Sequence, residues 1–236
     1  MTGTPYTPTQ LGVRPAPALV QQLLVGAFGW MFAGLLLSAG VTYLVATTPQ
    51  LLLAVTNAWL FIVIIQLVLG IGIQVAINKV SPMVSLLLFF VYAATMGLTI
   101  GVIVWSVMQS AGGALAVSSA FFSAAGMFGA AAVFGAVTKR DLSSMAGILF
   151  MGLIGIIIAS VINIFLASDT LSWVISILGV GLFTALTAFD VQRIVRGEYA
   201  ARTGSQERAS ILAALHLYLN FINMFLFTLR IFGGRN

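Results

Sequence analysis

The sequence predicts an all-α integral membrane protein, and three observations predict it. Hydrophobic residues make up 61% of the chain and charged residues only 6%. Soluble domains carry about 25% charged residues, so this chain cannot clothe a water-facing surface. The apolar residues gather into seven runs, each near the ~20 residues that about 30 Å of hydrocarbon requires. The connections between runs are short, and their basic residues alternate from one side to the other, as in a multi-pass topology.

Residues 1–24 read as a polar, disordered tail rich in Pro and Thr, with Arg14 as its charge, and residues 25–236 as a single seven-helix transmembrane domain. The first run, 25–46, is too long and too well followed by others to be a cleaved signal peptide. The next five are 53–77, 83–107, 114–137, 145–167 and 171–192. The seventh, 210–232, is the weakest because it contains His216, Asn220 and Asn223.

Loops 47–52 and 108–113 carry no charge, and 168–170 carries only Asp169. The basic residues sit in the other three: Lys79 in 78–82, Lys139 and Arg140 in 138–144, and Arg193, Arg196, Arg202 and Arg208 in 193–209. Basic loops in the cytoplasm place the N-terminus there as well. Seven full spans leave Arg230 and Arg235 on the far side, whereas a re-entrant last segment would return them. The net charge of +5 is thus a matter of topology, and the expected partner is the lipid bilayer, not nucleic acid. With no cysteine, disulfides and thiolate metal sites are excluded. Small residues four apart (Ala125 and Gly129, Gly126 and Ala130, Gly181 and Ala185) mark places where helices can approach closely, and Gly152 and Gly155 suit the same purpose.

One acid stands out. Asp190 lies in TAFDVQRI, residues 187–194, at the end of the sixth run. An acid at the centre of a membrane helix costs about 2.5–3.5 kcal/mol, less near the end, and marks a functional site by default. Asp141 and Asp169 have a simpler role as N-caps of the fifth and sixth spans, and Glu198 and Glu207 lie solvated in an Arg-rich loop. For Asp190 two roles stand open: a local ion pair with Arg193 one turn on, or an ion or proton site facing the bundle interior. An interior site needs a partner from another span. His216, Asn220 and Asn223, at i, i+4 and i+7, share one helical face that should point inward. Because imidazole changes charge near neutral pH, His216 is also a candidate proton relay, the alternative being an interfacial hydrogen bonder.

Enzyme chemistry finds no support. The single histidine has no matching serine nucleophile motif and no second ligand of the HExxH kind, and both lysines lie in loops, away from any Schiff-base position.

The chain resembles the Bax inhibitor-one, or transmembrane Bax inhibitor motif, family over residues 20–235. The resemblance rests on FFSAAGMFGA (121–130), TKRDLSSM (138–145), LFMGLIGIIIASVINIF (149–165), TAFDVQRI and LYLNFINMFLFTLRIFG (217–233). It implies six helices around a central seventh and a slow, pH-sensitive calcium leak, with calcium or protons as the moving ions and no other cofactor. In that family two aspartates, one in each of the last two spans, share a proton. Asp190 matches the first. The second falls on Asn220, within LYLNFIN where the family usually reads LYLDFIN. Asparagine cannot titrate, removes the like-charge repulsion and weakens a calcium site built on Asp190 and Asn220. Some members latch the acid with an Arg at the cytoplasmic end of the second span, where this chain reads Ile77, Asn78, Lys79 and offers Lys79 as a candidate substitute. Some bacterial relatives are thought to modulate a partner such as a membrane protease, for which the N-terminal tail and loop 193–209 are the available docking surfaces.

Overall fold

A computed structural model of the chain describes residues 15–110 and 112–233, and these contain helices and no strand. The elements are α1 (Pro17–Thr47), α2 (Pro49–Asn57), α3 (Trp59–Ala76), α4 (Pro82–Met108), α5 (Gly113–Val137), a 3-10 turn (Leu142–Met145), α6 (Ala146–Leu166), α7 (Asp169–Val195), α8 (Glu198–Thr203) and α9 (Gln206–Gly233). Seven of the helical segments are long and apolar enough to cross a membrane.

Local chemistry sets the boundaries. Pro17, Pro49 and Pro82 each open a helix, where the missing N–H is no loss. Gly197 and Gly204, with φ of 71° and 62°, bracket α8 in the left-handed region that favours glycine. Four expectations need correction. Residues 17–24, expected in the tail, belong to α1, which begins at Pro17, while residues 1–14 lie outside the described set, as does Arg235. The second run divides at Ala58 (φ −95°, ψ 8°), and its first part, with most of loop 47–52, forms α2. Hydropathy is blind to such a break, since both sides are equally apolar. Asp169 is the first residue of α7, and Ser168 does the capping, its Oγ accepting from Leu171 N–H at 3.3 Å. Asp141 does cap, accepting from Ser143 N–H at 2.9 Å. Loop 193–209 is mostly helical, with Tyr199, Ala200 and Thr203 of α8 buried and Arg202, Gly204, Gln206 and Glu207 exposed.

The chain divides into two compact units, 1–106 with 193–218 and 107–192 with 219–236. In the first, α1 and α4 approach at Gly97 and Gly101, where a Cβ would meet Ser38 and Val45. Ser38 Oγ joins the Ala93 carbonyl and the Tyr218 hydroxyl, each at 2.7 Å. Gln66 Nε2 donates to the Thr95 carbonyl at 2.7 Å and joins α3 to α4. Such polar bridges matter between membrane helices, because lipid offers no hydrophobic drive to association.

In the second unit α5 meets α7 at Gly135, whose missing Cβ leaves room for the Ala188 backbone. Gly179 in α7 accommodates the Phe227 ring of α9, and Phe121 and Phe128 of α5 pack edge-on against Phe221. Close approach therefore falls on other small residues than those expected. Gly126, Gly129, Gly155 and Gly181 have open space where a Cβ would stand, and of the glycines singled out only Gly152 meets a neighbour, Leu182 at 3.2 Å.

α9 is unbroken over 28 residues, with no interruption for a re-entrant turn. Its most apolar window is 72% buried, against 6% for Leu142–Leu166.

Candidate functional site

The TAFDVQRI stretch forms the last turns of α7 and is buried on the face it turns inward: Thr187, Asp190, Val191, Gln192 and Ile194 are all at most 5% exposed. The Gly135–Ala188 approach brings the α5 backbone against this turn. Asp190 is 5% exposed, and so is Asn220 on α9. Asn220 Nδ2 donates to Asp190 Oδ2 across 2.8 Å. A hydrogen bond to a charged partner contributes about 1.5–3 kcal/mol, which offsets part of the cost of burying the acid. Asp190 has other interactions in addition to this one.

The arrangement can present oxygen to a cation but does not cage one. Calcium takes about 6–8 oxygen ligands. Among the described residues no group of three or more His, Cys, Asp or Glu side chains is placed to hold a metal. As it stands, the Asn220 amide turns a donor, not its oxygen, toward the acid. A resident calcium site therefore does not fit these residues, whereas contact with a passing cation requires only Asp190 and a turn of the amide.

The three polar residues on the α9 face part company. Asn220 goes to Asp190. Asn223 Nδ2 bonds back to the Leu219 carbonyl at 2.8 Å within its own helix. In the first unit, His216 Nδ1 lies 2.8 Å from the Tyr199 hydroxyl and Nε2 3.3 Å from Gln74 Oε1. Gln74 Nε2 already donates to the Gly70 carbonyl, so Oε1 is the atom left to accept from His216 Nε2–H. In that tautomer Nδ1 accepts from the Tyr199 hydroxyl. The Arg193 guanidinium lies 4.7 Å over the Tyr199 ring, and its Nε is 3.0 Å from Glu198 Oε2. Glu198 is thus an ion-pair partner and not simply solvated. Lys79 is exposed just past α3, with no ion-pair partner among the described residues.

Sequence reasoning missed Gln192. Its Nε2 donates to the Arg140 carbonyl at 2.8 Å, and its Oε1 accepts from Leu142 N–H at 2.9 Å. One side chain thereby ties the α5–α6 loop to α7, two residues from Asp190. Leu142 packs with Ala131 and Ala188 beside it. The signal was present: an uncharged amide at the end of an apolar run needs a buried partner of its own. Tyr199 and Gln74 went unnoticed as well, since neither lies in a motif.

Comparison with known proteins accords with this architecture. Residues 20–236 match the family model described as inhibitor of apoptosis-promoting Bax1. The inner membrane protein YbhL of Escherichia coli K12 is 42% identical over 94% of this chain and 95% of its own length. A protein of Deinococcus radiodurans is 38% identical over 92% of each chain. An uncharacterized membrane protein of Streptococcus pyogenes is 37% identical over 72% of each.

Proposed function

We propose, since the chain belongs to the Bax inhibitor-one family of membrane proteins, that it passes cations, calcium among them, by way of Asp190. The observation that carries this is the buried Asp190–Asn220 hydrogen bond at 2.8 Å. Asp190 supplies the carboxylate that replaces part of a cation's hydration shell. Asn220 supplies an amide with a donor face and an acceptor face. With Nδ2 toward Asp190 one carboxylate oxygen is occupied and the pair is closed to a cation. With the amide turned, Oδ1 becomes a second oxygen beside the acid and the pair is open.

In the two-aspartate form of the site, the closed arrangement needs a proton to supply the donor. Here Asn220 supplies it permanently, so the closed state does not depend on proton uptake between two acids. The leak is accordingly slow and lacks the pH sensing of an aspartate pair. By the rule that basic loops face the cytoplasm, we assign Lys79, Lys139, Arg140, Arg193 and Arg208 to that side of the membrane.

The test is calcium entry into dye-loaded vesicles carrying wild type, Asp190→Ala or no protein. Wild type should exceed empty vesicles, and the variant should depart clearly from wild type. Equal entry in all three would remove Asp190 from any transport role.

A further inference from the structure

A cavity of about 570 Å³ lies in the first unit between the starts of α1, α4 and α9. It is amphipathic along its length. Gln22, Gln206, Glu207 and Ser210 line its polar part, and Trp30 and Leu86 its apolar part. Trp30 is braced edge-on by Phe90, with ring centroids 6.1 Å apart. Val25 and Met83 beside it are 67% and 75% exposed, so this side of the protein faces lipid.

Ser210 shows that the cavity is built for a polar occupant. Its side chain is buried, 6% exposed, and lines the cavity, yet its hydroxyl has no hydrogen-bond partner among the described residues. A helical serine can usually bond back to the carbonyl one turn earlier, and here it does not. Gly26 makes room for it, since a Cβ there would stand 2.7 Å from Ser210 Oγ. Gln206 Nε2 donates to Gln22 Oε1 at 2.6 Å, which leaves Gln22 Nε2 as a second donor. Among the described residues of the lining, Glu207 is the one acidic side chain and none is basic, although the whole chain carries +5. Neighbouring Arg208 is turned away, its Nη2 bonded to the Val80 carbonyl at 2.9 Å.

We propose that this cavity binds a phospholipid with a primary ammonium headgroup. The ammonium meets the Glu207 carboxylate, the Gln22 amide and Ser210 hydroxyl donate to phosphate and ester oxygens, and an acyl chain lies along Trp30 and Leu86. An anionic headgroup would meet Glu207 as a like charge, and a quaternary one has no N–H to donate. The site is separate from Asp190 and stands whether or not the chain passes cations.

Native mass spectrometry of the full chain in detergent tests it, with phosphatidylethanolamine, phosphatidylcholine and phosphatidylglycerol added in equal amounts. Wild type should retain phosphatidylethanolamine about fivefold better than either other lipid, the scale of one accessible charge pair. Glu207→Gln should abolish that preference, and Ser210→Ala should reduce retention of phosphatidylethanolamine. Three equal retentions, a preference for phosphatidylglycerol, or an unchanged preference in Glu207→Gln overturns the assignment. Full displacement by water-soluble phosphoethanolamine would also overturn it, by assigning the cavity to a soluble amine.

Discussion

Asn220 Nδ2 and Asp190 Oδ2 stand 2.8 Å apart with both side chains 5% exposed, so the acid of α7 is held by an amide of α9. A double-mutant cycle measures that link. Asp190→Asn and Asn220→Leu, alone and together, should give a coupling of about 1–2 kcal/mol, between the average for interhelical bonds in membranes and that for bonds to a charge. Unfolding in mild detergent is the measurement. Strict additivity would mean that the two side chains do not stabilise one another.

Gln192 should matter for stability out of proportion to its place in the motif. Gln192→Ala leaves the Arg140 carbonyl and the Leu142 N–H without their partner, at a cost of about 1–3 kcal/mol. Hydrogen exchange should quicken at residues 140–145 while protection in α9 stays unchanged.

Two glycines that spacing alone would treat alike should behave oppositely: Gly135 and Gly129 both lie in α5, six residues apart. Gly135→Ala drives a Cβ into the Ala188 backbone and should lower the melting temperature, whereas Gly129 has open space around it. Gly129→Ala should be neutral or stabilise by up to about 1 kcal/mol through helix propensity alone. Matching melting temperatures for the two variants would contradict the α5–α7 contact.

His216 is the only histidine, so its imidazole nitrogens can be followed without assignment. Nitrogen NMR should show the ring N–H at Nε2, with Nδ1 accepting from Tyr199. Tyr199→Phe should move the Nδ1 signal and cost about 0.5–1.5 kcal/mol, while the ring beneath Arg193 is kept. A ring protonated at Nδ1 would reverse the wiring.

Hydropathy and charge carried much of the fold. Seven runs of spanning length and an acid with no other role were legible because membrane burial acts on composition directly. What escaped notice depends on which backbone comes close to which. Spacing alone made Gly126, Gly129 and Gly181 look like packing sites, yet contact falls on Gly97, Gly101 and Gly135. The break at Ala58 changes no hydropathy, and the shift of the cap from Asp169 to Ser168 is a matter of one residue. At the site, the shared face of His216, Asn220 and Asn223 was visible in the spacing. That the three serve different partners was not, because Tyr199, Gln74 and Asp190 reach His216 and Asn220 from other helices while Asn223 bonds within its own.

In the proposed function Asp190 and Asn220 form the cation path, and the amide removes pH sensing from it. Calcium flux through wild type and Asn220→Asp, side by side across pH 5–8, tests this most directly. The account predicts a wild-type flux that varies little with pH. In the variant, two close carboxylates must share a proton, so its flux should be low in acid and rise as the pH climbs and the shared proton is lost. Two superimposable pH profiles, or a wild type already as steep as the variant, would contradict it.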